Sequence, residues 1–175
     1  SNSKYFEEEV NILKELDHPN IVRFFECYQD STHYHLVLEF LEGKSLVKIV
    51  EATKGLPENA AKRLFFQAAY AVNYLHQVGV THRDIKLDNF MFAKGESFEL
   101  GNLKLIDFGF AKNHRNKPMQ SHVGTSWYIA PEVLNRQSSY TSAVDNWSLG
   151  VLLYLMLFAE PPFRGQNNEE IFKKI

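Results

Sequence analysis

The chain's 175 residues are 45% hydrophobic and 14% aromatic, which is enough apolar material for a packed core and argues against a solvated, disordered tail. A formal net charge of −2 argues against the basic surface of a nucleic-acid binder and the polycationic face of a membrane-adsorbed protein. The longest apolar run, Val151 to Ala159, is about half of what a membrane-spanning helix needs, so no bilayer-crossing segment is expected.

Ser1-Asn2-Ser3 is small and polar with no apolar stretch behind it, and reads as a cut end, not a secretion signal. Phe6, Val10, Leu13 and Leu16 then recur at helical spacing behind Glu7, Glu8 and Glu9, which predicts an amphipathic helix whose acidic end is its N-terminus, stopped by Asp17-His18-Pro19-Asn20. Ile21 to Tyr28 and His33 to Phe40 are β-rich runs around Gln29-Asp30-Ser31-Thr32, a predicted hairpin broken after its second strand by Glu42-Gly43-Lys44. The one cysteine, Cys27, falls on the first of these strands and has no partner for an internal disulfide, so a reducing, cytoplasmic setting is expected. Pro57 followed by Leu64, Phe65, Ala68, Val72 and Leu75 predicts a long helix ending near Gly79.

Short strands at Phe90-Met91-Phe92 and Leu103-Lys104-Leu105-Ile106 follow, separated by loops of the kind that carry chemistry on a rigid scaffold. Residues 110 to 130 are polar and without periodicity, as functional segments often are. From Ser142 an apolar helix is expected to about Ala159, where Pro161-Pro162 stops it, and the chain closes in a further helix.

Two of the loops hold His82-Arg83-Asp84-Ile85-Lys86-Leu87-Asp88-Asn89 and Asp107-Phe108-Gly109, and Gly124-Thr125 and Ala130-Pro131-Glu132 follow in order. Asp84, Lys86, Asn89 and Asp107 are a carboxylate, a cation, an amide and a second carboxylate, the groups that phosphoryl transfer needs to align a hydroxyl and neutralise spread phosphate charge. Alone, His-Arg-Asp or Asp-Phe-Gly recurs in unrelated chains as a polar turn; the joint order and separations carry the inference.

That joint pattern resembles the eukaryotic protein kinase catalytic domain. Leu16-Asp17-His18-Pro19-Asn20-Ile21-Val22 and Leu105-Ile106-Asp107-Phe108-Gly109-Phe110-Ala111 look most like its calcium-dependent and calmodulin-dependent group, of the serine/threonine type to which Lys86 and Gly124-Thr125 also point. The resemblance implies a partial α+β kinase-like fold: residues 1–41 as a remnant of the small β-rich lobe, with a hinge at 39–41, and residues 42–175 as the upper part of the mainly helical large lobe.

It further implies a kinase that moves the γ-phosphoryl of ATP, with Mg²⁺, to Ser/Thr hydroxyls of protein substrates. Asp84 corresponds to the catalytic base, Lys86 to the γ-phosphate contact, and Asn89 and Asp107 to Mg²⁺ ligands, one Asp and one Asn suiting a hard ion that keeps few protein oxygens. Leu38 would guard the adenine pocket, the backbone of Glu39, Phe40 and Leu41 would bind adenine, Met91 would floor it, and Glu9 matches the first-helix glutamate that pairs with a strand lysine. Arg83 would pair with a phosphate on the activation segment, where Ser121 is the candidate acceptor; Thr125 and Glu132 belong to the same segment. Leu13, Phe24, His82 and Phe108 would stack as a column, with Asp145 holding the backbone around His82 and Arg83, which makes His82 a packed histidine and not an acid, base or ligand.

The departures are definite. No Gly-x-Gly-x-x-Gly occurs, the strand lysine is absent, since Lys4 precedes Glu9 in the same helical stretch, and the arginine partner of Glu132 is not among these residues. Ser45 stands where many calcium/calmodulin-group kinases carry a glutamate, although Asp88 keeps an acid nearby, and the loop reads Ile85-Lys86-Leu87-Asp88 in place of the commoner Leu-Lys-Pro-Glu. Two rival readings follow: a non-catalytic pseudokinase or scaffold fragment, and a small-molecule phosphotransferase, which would not need Ala130-Pro131-Glu132. A calcium-linked regulatory segment outside these residues is the partner that the group resemblance implies.

Overall fold

The computed structural model describes residues 2–94, 101–113, 119, 126–135 and 139–175, with residues 2–4 by backbone alone. Helix α1 spans Asn2–Glu15 and turns Val10, Ile12 and Leu13 inward. It starts earlier than the acidic run suggested, so Glu7, Glu8 and Glu9 lie mid-helix and no acid occupies the first turn. Nothing in residues 2–6 is a glycine or proline that would stop the helix extending backwards. Pro19 ends the stretch, and the Asn20 N–H turns to the His18 ring at Nδ1 (3.1 Å).

Strands β1 (Phe24–Gln29) and β2 (Tyr34–Leu38) form the expected hairpin, antiparallel with Cys27 opposite Leu36. Its turn is made by the Asp30 side chain, whose Oδ1 accepts the N–H groups of Thr32 (2.7 Å) and His33 (2.8 Å). The first strand begins at Phe24, not at Ile21. Residues 20–22 are held instead by a later strand: the Leu105 N–H donates to the Asn20 carbonyl (2.8 Å) and the Val22 N–H to that of Leu105 (2.9 Å).

Beyond the hairpin, Gly43 runs so close to a later strand that a Cβ there would sit 2.4 Å from the Phe92 carbonyl oxygen. Helix α2 (Leu46–Thr53), which the sequence pattern did not suggest, buries Leu46 and Val50. It ends on Lys54 in the left-handed region and Gly55 at φ 103°. Helix α3 (Glu58–Gln77) begins after Pro57 and presents Ala60, Ala61, Leu64, Ala68, Ala71, Val72 and Leu75 to the core; the alanines let neighbouring elements approach closely.

Strand β3 (Val80–Thr81) leads into the first motif, which closes with a single 3₁₀ turn at Leu87–Asn89. Strands β4 (Phe90–Phe92) and β5 (Leu103–Leu105) pair antiparallel, and β6 (Lys112–Asn113) returns to pair with β3. A 3₁₀ turn at Ser126–Tyr128, the short α4 (Pro131–Leu134), α5 (Ala143–Phe158) and α6 (Asn168–Lys174) follow. The described strands thus make three two-stranded antiparallel sheets among helices, the mixed α+β architecture expected. Leu13, Ile21, Leu46, Leu64, Leu75, Ile85, Phe90, Phe92, Leu105, Phe108 and Leu152 share one core, on whose rim the motif loops lie. Among the described residues no helix is long and apolar enough to cross a membrane.

Candidate functional site

Strand β3 delivers His82, Arg83 and Asp84 to the edge of the core. His82 and Asp84 are both buried. Arg83 adopts φ 67°, a left-handed conformation that costs a non-glycine residue about 1–3 kcal/mol and persists only under external restraint. The restraint is Asp145, fully buried in the first turn of α5: its Oδ2 accepts the His82 N–H (2.9 Å) and its Oδ1 the Arg83 N–H (2.8 Å). The Arg83 guanidinium reaches the other way, donating from Nε to the Phe110 carbonyl (2.7 Å) and from one terminal nitrogen to the Tyr140 hydroxyl (3.4 Å).

Asp84 sits at the centre of a compact polar cluster. Its Oδ2 accepts from Asn89 Nδ2 (3.0 Å) and lies 2.6 Å from the Lys86 ammonium, while the same Asn89 Nδ2 also donates to the Asp84 carbonyl (2.8 Å). Both donor bonds of the Asn89 amide therefore point to Asp84, and its oxygen faces away from that residue. The loop is pinned from a third side, where the Tyr128 hydroxyl accepts the Leu87 N–H (3.2 Å) and burial pushes the Tyr128 phenol above its ordinary range.

The second carboxylate reaches this cluster through strand register. Phe90 pairs with Leu105, so the next residues outward are Asn89 and Ile106, and the Ile106 N–H donates to the Asn89 carbonyl (2.8 Å). Asp107 is the following residue, exposed and at φ 61°, with its Oδ1 accepting the Gly109 N–H (3.1 Å). Phe108 turns inward and meets the His82 ring edge-on at 5.0 Å, as the column reading anticipated. Burial holds the His82 imidazole below its usual range despite the nearby carboxylates. Glu9 of α1 faces the same corner: burial first and then the Asp107 charge raise its carboxyl, and the Phe108 N–H draws it partly back.

The other expected site residues are distributed around this centre. Leu38 ends β2 half-buried against the core, and Leu41 packs beside it. The Glu39 N–H donates to the Arg23 carbonyl (2.8 Å), and its carboxylate pairs with Lys104 of β5 (2.8 Å) while accepting the Arg23 N–H (3.1 Å). Phe40 is 83% exposed. Met91 is half-buried opposite Lys104 and bridged to Ser45. Glu132 lies half-buried in α4, away from the Asp84 cluster in sequence, and Ser121 and Thr125 lie outside the described residues.

Tyr128, Lys104 and Asn20 are contributors that the motifs did not reveal. Asn20 is buried and donates to Gln67 Oε1 (2.9 Å), Asn102 Oδ1 (3.0 Å) and the Leu103 carbonyl (2.9 Å), which ties residue 20 to α3 and β5. For Lys104 a signal existed: a lysine between two leucines of a buried strand needs a partner.

The geometry brings a carboxylate flanked by a cation, an amide oxygen and a second carboxylate to one rim. That set can orient a hydroxyl through Asp84 and offers a hard divalent ion such as Mg²⁺ two oxygen ligands of the required kind, Asn89 Oδ1 and the Asp107 carboxylate. The family pattern described as a protein kinase domain matches residues 1–175. The chain is 37% identical over 175 residues to calcium-dependent protein kinase 5 of Plasmodium falciparum (isolate 3D7), an alignment that takes in 99% of this chain and 30% of that protein. It is 36% identical over 176 residues to calcium-dependent protein kinase 5 of Plasmodium berghei (strain Anka), covering 100% of this chain and 31% of the relative. The chain thus spans less than a third of the length of either relative.

Proposed function

The chain belongs to the protein kinase domain family, and from that premise we propose that it carries the phosphoryl-transfer machinery of a serine/threonine kinase, moving the γ-phosphoryl of ATP to Ser/Thr hydroxyls of protein substrates. The observation that carries the reading is the pair of hydrogen bonds that Asn89 Nδ2 donates to Asp84, together with the hydrogen bond that the Asn89 carbonyl accepts from the Ile106 N–H, which joins the two motifs at one rim.

Asp84 orients the acceptor hydroxyl and receives its proton, held in one attitude by Asn89 and Lys86. Lys86 lies at the same carboxylate and meets negative charge on the phosphoryl group. Asn89 and Asp107 would hold Mg²⁺, which when bound would neutralise charge on the phosphate oxygens. Residues 1–41 act as part of the small lobe and 42–175 as part of the large one. Leu38, the backbone of Glu39, Phe40 and Leu41, and Met91 form the adenine side, and Glu9 supplies the acid that pairs with a nucleotide-anchoring lysine. Ser121, Thr125 and Glu132 belong to the activation segment, and Arg83 pairs with a phosphate placed on that segment at Ser121. The kinship with calcium-dependent protein kinases supports a calcium-linked regulatory segment acting on this domain, and the lone Cys27 supports a reducing, cytoplasmic setting.

The test is acceptor choice. The complete protein carrying this sequence, supplied with Mg²⁺ and labelled ATP, is offered Ser/Thr peptides, tyrosine peptides and small alcohols. Label on Ser/Thr peptides alone is expected. Label on small alcohols would replace the reading with a small-molecule phosphotransferase, and no label on any acceptor would favour a non-catalytic scaffold.

A further inference from the structure

We infer that Tyr34 is a positioning residue for phosphoryl transfer: its ring, stacked on Phe6, holds the first half of α1 against the β1–β2 hairpin and so keeps Glu9 at the corner occupied by Asp107 and Phe108. The inference rests on the kinase reading above, in which Glu9 pairs with a nucleotide-anchoring lysine, and extends it to two residues outside both motifs.

Helix α1 is held unevenly along its length. From Val10 onward it is anchored in the core by Val10, Ile12, Leu13 and Leu16, all buried. Ahead of Val10 the side chains of Tyr5, Glu7 and Glu8 are exposed, and Phe6 and Glu9 turn only part-way inward. One flank of this half borders a cavity of about 450 Å³ lined in part by Glu8, Glu9, Phe110 and Lys112, so that flank is open instead of packed. On the hairpin side the Phe6 ring stacks on Tyr34, with centroids 4.5 Å apart and planes 27° from parallel. Phe6 precedes Glu9 by three residues and Val10 by four, which places the stack, the acid and the core anchor along one face of the helix. A short helical segment is marginal in water without tertiary contact, and the stack supplies such a contact to these turns.

Tyr34 is a firm support for that contact. It opens β2 in register with Gln29, and the turn before it is closed by Asp30, whose Oδ1 accepts the His33 N–H (2.8 Å) and whose Oδ2 lies 2.7 Å from His35 Nε2. The His35 ring in turn stacks on Tyr28 at 4.5 Å. The residues on both sides of Tyr34 are therefore fixed. Glu9 needs this restraint because it accepts the Phe108 N–H while its charge faces that of Asp107. Like charges repel, so the carboxylate keeps its place only while the backbone beneath it is held. Without the ring, the first half of α1 frays and Glu9 moves away from Asp107. The loss falls on the nucleotide side of the site and leaves peptide binding alone.

In the complete protein we would compare wild type, Tyr34→Thr and Tyr34→Phe, each with and without Glu9→Gln. Turnover on a Ser/Thr peptide, KM for ATP and for peptide, melting temperature, and hydrogen exchange at the amides of Phe6 to Glu9 would be measured. Tyr34→Thr keeps a strand-forming residue but loses the ring, and should lower kcat/KM for ATP about threefold to tenfold, with KM for peptide unchanged and those amides exchanging faster. Tyr34→Phe keeps the ring and should stay within about twofold of wild type. In the Glu9→Gln background, Tyr34→Thr should cost less than about twofold further, because residues that act through one group are not additive. The inference is overturned if Tyr34→Thr retains wild-type kcat/KM and amide protection, if its loss is undiminished in the Glu9→Gln background, or if Tyr34→Phe is as impaired as Tyr34→Thr at a native melting temperature. If Tyr34→Thr does not fold, Phe6→Leu, which removes the same stack while keeping helix propensity, decides by the same criteria. A wild-type protein that transfers no phosphate would remove the kinase reading, while the exchange measurement would still decide whether the stack holds α1.

Discussion

His82 joins the first motif to the core. Its ring meets Phe108 edge-on, its Nδ1 accepts the Asp84 N–H (3.3 Å), and burial lowers its affinity for a proton. The sign of the stability effect follows from that direction. Because the folded-state pKa lies below the unfolded value of 6.5, the unfolded chain takes up the proton first as pH falls. Stability from this group is full above that value and is lost progressively as pH drops towards the folded one. His82→Phe preserves the packed ring and removes the titration, so its melting temperature should fall less steeply than that of wild type between about pH 7.5 and about pH 5.5. Parallel slopes in the two proteins would contradict the assignment. A residual slope is expected from His18, lowered by burial and by the Lys104 charge in the same sense. At this scale the polar cluster was legible, because Asp84, Asn89 and Asp107 stand out in the sequence by residue type and spacing. Asn20 was not, because its partners Gln67, Asn102 and Leu103 lie far along the chain.

Elements with a strong period were also legible. Helix α3 repeats its apolar residues over about five turns, α5 announces itself as a long, nearly continuous apolar run closed by Pro161-Pro162, and the β1–β2 hairpin by a polar turn between two β-rich runs. Helix α2 has only eight residues and two buried ones, Leu46 and Val50, too few to establish a period. The β3–β6 pair was hidden for another reason: two-residue strands brought together across more than 30 positions leave no local trace. The junction from α2 to α3 is fixed by close backbone contact beside the buried Leu56 side chain. Gly55 sits at φ 103°, and a Cβ there would lie 2.4 Å from the Leu157 carbonyl oxygen of α5. Gly55→Ala should therefore destabilise the fold by about 1–3 kcal/mol, read as a lower urea midpoint. Gly150, inside α5 with nothing within 4 Å of an added Cβ, is the contrasting site. Gly150→Ala should stabilise by about 0.5–1 kcal/mol through helix propensity. A reversal of these two signs would refute the packing described at the α2–α3 junction.

Over the whole molecule, small paired strands and long helices converge on one rim where polar groups from separate stretches meet. Asn20, Gln67 and Leu103 bind one another across the core, Asp145 holds the first motif from α5, and the β4–β5 register delivers the second motif to the first. The same rim draws Glu9 from α1 towards Asp107. On the proposed kinase reading, this convergence fixes both ends of the loop that carries Asp84 before substrate arrives. The central claim is that Asp84 and Asp107 perform distinct and necessary parts of that transfer. The most direct measurement is single-turnover transfer of labelled phosphate from Mg·ATP to a Ser/Thr peptide by the complete protein, wild type against Asp84→Asn and Asp107→Asn. Each variant should lose at least about 10²-fold to 10³-fold in rate while melting as wild type does. A folded variant of either kind that keeps the wild-type rate would contradict the account.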